Sequence, residues 1–566
     1  MPRSPASLLR VIGLLAALSV AAGAAYLLVP PRTAPPPPTR PLTDGRLLTA
    51  DSAPGEWLTY GRDYANQRFS PLSQIDRRNV AGLHPVWRFS LRRLSRAPDR
   101  NESTPLALDG MLIYSDSRNV VLALDARTGR RIWRYEHPIG AAAVCCGLVN
   151  RGVAAYGDAV YLATLDARLV ALDRRTGAKR WDRAIAEPSE GYSFTMAPLA
   201  AAGMILVGAA GGDFGARGFL DAYDPRTGSR VWRFWTVPSP EEGGWWGRWT
   251  PTTPEGESLH RDIPQEKRDS ARYTDAWRRG GAAVWTTPAY DPELGLVIFT
   301  TGNPAPVGGV TPPGDNLYST SLVAVHATTG RLAWYYQMVP HNVWDYDAAS
   351  PPVLLSVARE GKTVPLVAHA GKTGWVYLVH RATGAPVLRS EPLIPLKNIF
   401  PPATGAGIET SPGDRGGSNW PPAAYSPRSG LLYVQATHAP MMFSRDTVAT
   451  AAREGEQPVY AKFHQVQPPT ETGTLSAVDP ATGRIRWQRK TEGNLAYGGV
   501  LATAGGLVFF AERDGHLTAL DAETGEVLWR HRVDDRVLGS PMAFAVDGEQ
   551  RIAIASIRGV TVFGLP

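Results

Sequence analysis

The sequence predicts an all-β fold, an eight-bladed β-propeller, and three observations favour it. A motif of Asp, two variable residues, Thr-Gly, three variable residues and Trp recurs along the 566 residues. Neighbouring copies lie about 50 residues apart, or twice that where a copy has eroded, which is near the repeat length of propeller blades. The chain also holds 57 Gly, 49 Pro and 17 Trp, a turn-rich and aromatic composition typical of all-β proteins.

Each copy of the motif reads as two strands joined by a tight turn. The Asp side chain can bond the turn backbone, and the Gly accepts a positive φ. A Trp at a fixed place in each blade can wedge against the neighbouring blade, so we interpret these Trp residues as packing residues. The copies carry Asp125, Gly129, Trp133; Asp173, Gly177, Trp181; Asp224, Gly228, Trp232; His326, Gly330, Trp334; His380, Gly384, Leu388; Asp479, Gly483, Trp487; and Asp521, Gly525, Trp529.

The repeat predicts a propeller over residues 51–566, preceded by two other segments. Residues 1–29 combine two arginines with an apolar run over residues 11–29, which indicates either a cleaved export signal or an uncleaved membrane anchor. Residues 30–50 are Pro-rich and predict a stiff, extended linker. Both interpretations of the leader place the body outside the cytoplasm, in the periplasm, and a membrane tether through residues 11–29 stays an open alternative.

Charge and cysteine content narrow the classes of function. The net charge is +7, but the arginines are scattered, so we expect a solvated surface and no nucleic-acid partner. The two cysteines, Cys145 and Cys146, are adjacent, and the sequence holds no Cys-x-x-Cys-His, which argues against a covalently attached c-type haem. A propeller alone does not give a function, because enzymes and protein-binding scaffolds share this fold.

Seven further motifs follow one another in the body of the chain. They are Glu102-Ser103-Thr104-Pro105, Cys145-Cys146-Gly147, Tyr192-Ser193-Phe194-Thr195, Gly211-Gly212-Asp213-Phe214-Gly215, Ala283-Val284-Trp285, Thr301-Gly302-Asn303-Pro304 and His341-Asn342-Val343-Trp344-Asp345-Tyr346-Asp347. In these motifs, and over nearly the whole body, the chain resembles the PQQ-dependent (quinoprotein) alcohol and methanol dehydrogenases. The match of seven motifs in order is far more specific than any one of them.

The resemblance implies a binding site for PQQ at the propeller axis. It implies that the cofactor ring stacks on Trp285 and lies under a disulfide between Cys145 and Cys146, which needs an oxidising compartment. Two adjacent free thiols are the ordinary alternative for this pair. By the same resemblance, the residues that contact PQQ are Glu102, Cys145, Cys146, Arg151, Thr195, Trp285, Lys372 and Asn419.

The resemblance also implies one metal ion, held by Asp213, Asn303, Asp345 and Asp347, with Asp345 as the general base. Relatives usually have Glu at the position of Asp213. Asp347 matches an added acid that marks lanthanide-dependent members, and three carboxylates would balance a trivalent lanthanide better than Ca²⁺. Ca²⁺ stays an alternative, because membrane-bound glucose dehydrogenases can also place an acid two residues after the catalytic Asp.

We therefore expect oxidation of a small primary alcohol to an aldehyde, with electrons leaving to a separate c-type cytochrome. A dehydrogenase for sugars, aldoses or other polyols is the alternative among enzymes. Substitutions at Ala210 and Tyr497, where relatives often have Ser and Trp, also leave a degenerate, non-catalytic scaffold open. A homodimer is a further open possibility. The insertion from Ser239 to Gly280 either shapes the substrate entrance or is a surface excursion.

Overall fold

The computed structural model describes residues 33–91, 100–140, 144, 147–306, 311–402, 404–450, 459–465, 471–491, 497–534 and 536–566. These residues form 38 strands and two short α-helices, α1 (Asp44–Leu48) and α2 (Ile263–Asp269). Short 3-10 turns lie at Ala50–Ser52, Val80–Gly82, Pro188–Glu190, Gly212–Phe214, Pro240–Glu242, Ser270–Arg272 and Ala276–Arg279.

The first half of the chain builds four blades, each a sheet of four antiparallel strands. Three short segments and a long edge strand come before or between them: β1 (Phe69–Ser70), β2 (His84–Ser90), β3 (Arg100–Asn101) and β8 (Val149–Asn150). Blade 1 holds β4 (Leu106–Leu108), β5 (Met111–Ser115), β6 (Val120–Asp125) and β7 (Arg131–Glu136); blade 2 holds β9 (Ala154–Tyr156), β10 (Ala159–Ala163), β11 (Arg168–Asp173) and β12 (Lys179–Ala184); blade 3 holds β13 (Leu199–Ala201), β14 (Met204–Gly208), β15 (Phe219–Tyr223) and β16 (Arg230–Trp235); blade 4 holds β17 (Ala289–Asp291), β18 (Leu296–Thr300), β19 (Ser321–His326) and β20 (Leu332–Gln337).

The second half builds the remaining blades and one accessory sheet of β25, β28 and β29. Blade 5 holds β21 (Val353–Arg359), β22 (Lys362–Ala370), β23 (Val376–His380) and β24 (Pro386–Arg389); β25 (Ile408–Thr410) follows; blade 6 holds β26 (Ala424–Ser426), β27 (Leu431–His438), β30 (Thr472–Val478) and β31 (Ile485–Lys490), with β28 (Met441–Thr450) and β29 (Val459–Gln465) between its middle strands; blade 7 holds β32 (Val500–Thr503), β33 (Leu507–Ala511), β34 (His516–Asp521) and β35 (Val527–Arg532); blade 8 holds β36 (Met542–Val546), β37 (Glu549–Ser556) and β38 (Gly559–Gly564).

The ring closes by joining the two ends of the chain. The outermost strand of blade 8 is β2, which pairs antiparallel with β38 from His84 opposite Gly564 to Ser90 opposite Gly559. This strand completes the eighth blade, so the predicted eight-bladed β-propeller is confirmed.

The recurrent Trp residues dock each blade on the next. In the first case, the Trp133 ring lies over Gly177 of blade 2, where a Cβ would come within 2.7 Å of the ring and where φ is +74°. The indole N–H also donates to the Arg174 carbonyl at 2.9 Å. The same type of bond, 2.8 to 3.2 Å long, joins Trp87 to Ala126, Trp181 to Pro225, Trp232 to Ala327, Trp334 to Arg381, Trp487 to Ala522 and Trp529 to Leu83.

Replacing Trp133 with Ala is expected to lower the free energy of unfolding by about 3–5 kcal/mol, because it removes a buried ring and a hydrogen bond together. Urea denaturation followed by circular dichroism measures this loss. Leu388→Ala is the matched control, since Leu388 occupies the same position against Gly483 but has no indole N–H to lose. Equal losses in the two variants would show that the docking bond contributes nothing.

The loops that connect the strands lie on two opposite faces of the ring, and the order of the strands determines which loop lies on which face. Each blade is entered at its innermost strand, so blade-entry loops and the loops between second and third strands share one face, here called the pocket face. The turns of the Asp-x-x-Thr-Gly motif lie between third and fourth strands, on the opposite face. Two insertions lie on the pocket face: residues 236–288, between β16 and β17, and the β28–β29 hairpin.

The N-terminal residues of the described chain lie on the opposite face. Ala34 N–H donates to the Arg131 carbonyl at 2.9 Å, and Leu42, fully buried, pairs with Gly157. Arg46 binds Asp109, with Nη2 2.8 Å from Oδ1. Residues 33–50 are therefore packed on blades 1 and 2.

Residues 57–70 then cross the propeller axis and fill the channel below the pocket. Arg68, fully buried, donates to the carbonyls of Val500 and Pro541 from blades 7 and 8, at 2.8 and 2.7 Å. Asn66 donates to the Pro288 carbonyl of blade 4 at 3.0 Å. Because these bonds tie opposite blades together, the segment closes the axis and gives the pocket a floor.

Across the described ranges, none of the helices has the length and apolarity that a membrane crossing requires. The predicted leader, residues 1–29, lies outside the described residues.

Candidate active site

One cavity of about 350 Å³ lies on the propeller axis and opens to the pocket face, a volume within the usual range of small-molecule sites. Its walls come from blade-entry loops and from loops between second and third strands. The predicted residues that line it are Glu102, Arg151, Thr195, Asp213, Trp285, Asn303, Asp345, Asp347, Lys372 and Asn419. The fold thus brings ten residues from the loops of blades 1 to 6 to one place.

Cys145 and Cys146 lie outside the described residues, and so does any disulfide between them. Their neighbours Val144 and Gly147 both line the cavity. Cys145 and Cys146 therefore adjoin residues of the cavity wall in the sequence. The disulfide between them stays a prediction.

Four carboxylates and one ammonium group form the acidic end of the cavity, contributed mainly by blades 3 to 5. Lys372 Nζ lies 3.1 Å from Asp345 Oδ2 and 3.3 Å from Asp347 Oδ1, and it also donates to the Asp345 carbonyl at 2.9 Å. Asp213 and Asp414 complete the group. Among the described residues, no group of three or more His, Cys, Asp or Glu side chains is arranged to hold a metal ion, and Lys372 binds two of the carboxylates.

Desolvation and mutual repulsion set the protonation of this end. Burial raises the pKa of Asp345 well above its usual value; Lys372 opposes this, and Asp347 adds to it. The Asp213 side chain is open to the cavity, yet it lies deep in the protein. That desolvation, with the charge of Asp347, raises its pKa as well. For Lys372, burial lowers the pKa, but the surrounding carboxylates outweigh it and the pKa rises.

Such a cluster favours a bound cation, because a positive ion offsets the burial and the mutual repulsion that raise the pKa values of Asp345 and Asp213.

The acidic side chains are aimed by short, constrained loops. Asp345 has φ of +63°, a left-handed conformation uncommon for a residue with a side chain. Gly211, just before Asp213, has φ of +98°, and a Cβ there would lie 2.0 Å from the Gly191 carbonyl oxygen. Only glycine fits at this point of the turn, which places Asp213 at the cavity wall.

The insertion on the pocket face braces the loop that carries Asp345. Arg261 binds Asp315 at 2.6 Å and Glu266 at 2.7 Å, while His341 Nδ1 lies 2.9 Å from the Gly314 carbonyl oxygen. None of residues 239–280 lines the cavity. The sequence predicts that this segment either shapes the substrate entrance or is a surface insertion. The geometry favours a surface insertion that packs against the outer side of the site loops.

An indole face and a guanidinium form the centre of the cavity. Trp285 Nε1 donates to Asp347 Oδ2 at 3.0 Å, which fixes the plane of the ring. The Arg151 guanidinium lies 4.9 Å from the Trp285 ring centroid and binds Glu102 at 2.7 Å and Thr195 Oγ1 at 2.9 Å. Arg151 Nε is buried without a hydrogen-bond partner. The centre is therefore a flat aromatic surface beside an incompletely paired cation.

Several residues of the wall are not among those that the sequence predicts to bind PQQ or the metal. Asp414 stood in a Gly-rich segment five residues before Asn419, which was the available signal. Trp420 and Tyr497 stack with centroids 4.6 Å apart and planes 9° apart, a pairing that sequence spacing does not show. Further wall residues are Arg100, Ser193, Arg415, Arg513, Arg536 and Leu538.

Comparisons with known proteins agree on one family. The profile of the PQQ glucose/ethanol/alcohol dehydrogenase β-propeller domain matches residues 57–392 and 391–552. The chain is 33% identical over 580 residues to the quinoprotein alcohol dehydrogenase PedH of Pseudomonas putida, covering 98% of this chain and 93% of that protein. It is 35% identical over 540 residues to the quinohemoprotein alcohol dehydrogenase ADH IIB of Pseudomonas putida, covering 90% and 74%.

Solved structures show the same likeness. A europium-containing methanol dehydrogenase superposes with a TM-score of 0.80 at 30% identity, covering 91% of this chain and 92% of that one. The quinohemoprotein alcohol dehydrogenase of Comamonas testosteroni superposes with a TM-score of 0.80 at 30% identity, covering 92% and 82%. With its propeller, its axial cavity and these matches, the chain belongs to the PQQ-dependent (quinoprotein) alcohol dehydrogenases.

Proposed function

We propose that this chain oxidises a primary alcohol to an aldehyde in the periplasm, with Asp345 as the base, and passes the electrons to a separate c-type cytochrome. The observation that carries the proposal is the convergence of an indole face, an unsatisfied guanidinium and a carboxylate cluster in one axial cavity. The indole face suits a flat quinone, and the guanidinium suits its carboxylates. The carboxylate cluster suits a metal ion and the proton of an alcohol.

The centre of the cavity fits PQQ. Trp285 offers a flat face for stacking, and Arg151 offers a buried donor, Nε, that has no partner among the described residues. Thr195 and Asn419 add polar groups on the walls. Bound PQQ would supply the acceptor for the hydride of the carbinol carbon, and the protein would bind and orient the cofactor, provide charged groups and exclude water.

The acidic end fits a hard cation with oxygen ligands. Asp213, Asp345, Asp347 and the amide oxygen of Asn303 would hold it. Asn303 Nδ2 donates to the Pro304 carbonyl at 2.9 Å, which orients the amide and leaves its oxygen for a ligand bond. Three carboxylates match a trivalent lanthanide, and the solved relative that carries europium supports this choice; Ca²⁺ is the alternative.

The position of Asp345 in the cavity wall supports its proposed role as the base that takes the alcohol proton. Its Oδ2 already accepts from Lys372 at 3.1 Å, so Oδ1 is the oxygen that receives the proton of the substrate hydroxyl. Lys372 opposes the rise in pKa that burial causes and so helps keep the carboxylate ionised. An ionised carboxylate within reach of the hydroxyl is the state that a general base requires.

The proposed location and acceptor rest on the sequence. Residues 11–29 have the pattern of an export signal or an anchor, and these 566 residues contain no Cys-x-x-Cys-His, so a c-type cytochrome outside these residues would reoxidise the cofactor. Because residues 33–34 bind the opposite face, a tether at the N-terminus would leave the cavity facing away from the membrane. The proposal includes a homodimer. Analytical ultracentrifugation, which measures the mass of the assembly, tests it.

The substrate class is tested with the protein reconstituted with PQQ and metal, using dye reduction and detection of the product. We expect 1-propanol to support reduction and to yield propanal, because Leu538 and the Trp420–Tyr497 stack give the wall an apolar part. Glucose at equal concentration is the comparison. If glucose is oxidised and primary alcohols are not, the chain is a sugar dehydrogenase. If the protein retains PQQ but oxidises none of these substrates, it is a degenerate enzyme.

A further inference from the structure

Three arginines form a second charged end of the cavity, across the ring from the carboxylates. Arg100 comes from the entry to blade 1, Arg513 from the loop between β33 and β34 of blade 7, and Arg536 from the entry to blade 8; all three line the cavity. The acidic end is built from blades 3 to 5, so in an eight-bladed ring the two ends face each other.

These arginines lie close to one another. Burial lowers the pKa of Arg536, the charges of Arg513 and Arg100 lower it further, and Glu102 opposes this fall without reversing it. The Arg513 guanidinium lies 5.5 Å from the Tyr497 ring centroid, which fixes one of the three beside the aromatic stack. Like charges held together in a partly desolvated pocket repel one another, so the arrangement is costly without an anion.

Within the described residues, none of the three guanidinium groups forms an ion pair, and Arg536 Nε is buried without a hydrogen-bond partner. Glu102 offsets part of the charge of Arg100 and Arg536, but its carboxylate is bound by Arg151 at 2.7 Å. By contrast, the other cations of the cavity have partners: Arg415 binds Glu471 at 2.6 Å, and Lys372 binds two carboxylates. The three arginines therefore present unused donors to the cavity.

We propose that Arg100, Arg513 and Arg536 form a carboxylate-binding position distinct from that of Arg151. Planar guanidinium forks bind carboxylates through paired, charge-assisted hydrogen bonds. Two molecules of the proposed reaction could supply the carboxylate: PQQ itself, which carries three, or an alcohol that bears an acid group. The identity of the ligand rests on the proposed function. The position of the three arginines in the cavity wall does not depend on it.

The first arm of the test measures PQQ binding to metal-free protein by absorbance titration, without turnover. The variants are Arg513→Gln and Arg536→Gln, which keep length and polarity but remove the charge. If the cofactor supplies the carboxylate, the Kd for PQQ rises about 10-fold or more in each variant, as expected for loss of a charge-assisted bond. Arg226→Gln is the matched control, because Arg226 is 87% exposed on an opposite-face turn.

The second arm compares 1-butanol with 4-hydroxybutanoate in the reconstituted enzyme. If the substrate supplies the carboxylate, the variants raise KM for the hydroxy acid about 10-fold more than KM for butanol, and they bind PQQ like the wild type. Matching melting temperatures exclude misfolding. Wild-type values for both ligands in both variants would overturn the inference. If the wild type itself fails to bind PQQ, the proposed function fails, and titration with the tricarboxylate citrate then tests the arginine position alone.

Discussion

Replacing Asp345 with Asn is expected to lower kcat about 10²- to 10⁴-fold while PQQ binding stays within a few-fold of the wild type, the range that a general base contributes. The amide has nearly the shape of the carboxylate and can still accept a hydrogen bond from Lys372, whose Nζ lies 3.1 Å from Oδ2. It cannot take up the alcohol proton. The measurement is steady-state dye reduction with saturating alcohol, paired with PQQ titration of the same preparation.

The control for this experiment is Asp275→Asn, which changes an exposed aspartate of the insertion whose one ion pair within the described residues is with Arg278, at 3.4 Å. Its kcat should equal that of the wild type. Retention of most of the activity in Asp345→Asn would remove Asp345 from the role of base and leave Asp347 or Asp213 as the candidate. Loss of PQQ binding together with activity would instead show that Asp345 acts mainly through the metal.

Replacing Asp347 with Asn is expected to weaken La³⁺ binding about 10- to 100-fold, with a smaller effect on Ca²⁺. The amide oxygen can still accept the bond from Trp285 Nε1, now 3.0 Å long, so the stacking surface keeps its orientation. What is lost is one of three negative charges, which matters more to a trivalent ion than to a divalent one. Activity measured against the concentration of each metal gives the two apparent affinities.

Asp347→Glu is the companion variant, because it restores the charge on a longer side chain. Recovery of La³⁺-dependent activity in the Glu variant would assign the effect to charge rather than shape. Equal weakening of La³⁺ and Ca²⁺ in Asp347→Asn would contradict the idea that Asp347 selects the trivalent ion, and unchanged affinity for both would take it out of the metal site.

The recurrence of one short motif was enough to predict the fold. Asp, Gly and Trp at fixed offsets describe a turn and a docking contact, and the structure places Trp133 on Gly177 as this pattern requires. The closure of the ring by β2 could not be predicted in the same way. This strand carries Trp87 but no preceding Asp-x-x-Thr-Gly turn, because its blade partners come from the other end of the chain.

The cavity was predictable only where residues stand in recognisable motifs. Asp345 and Asp347 share one motif, and Asn303 follows a Thr-Gly pair, so their side chains could be assigned before their positions were known. Arg513 and Arg536 carry no such signal, since an arginine in a loop is usually a solvated residue. Their meeting with Arg100 depends on the radial arrangement of blades 7, 8 and 1, which sequence spacing does not encode.

The most direct test of the central claim uses metal-free wild-type protein, PQQ and a primary alcohol, with dye reduction followed in parallel without metal, with Ca²⁺ and with La³⁺. We predict reduction that requires both PQQ and a metal ion, with the higher rate in La³⁺. Activity with Ca²⁺ alone would keep the dehydrogenase and contradict the lanthanide assignment. Failure to retain PQQ or to oxidise the alcohol with either ion would contradict the assignment of the axial cavity as an active site.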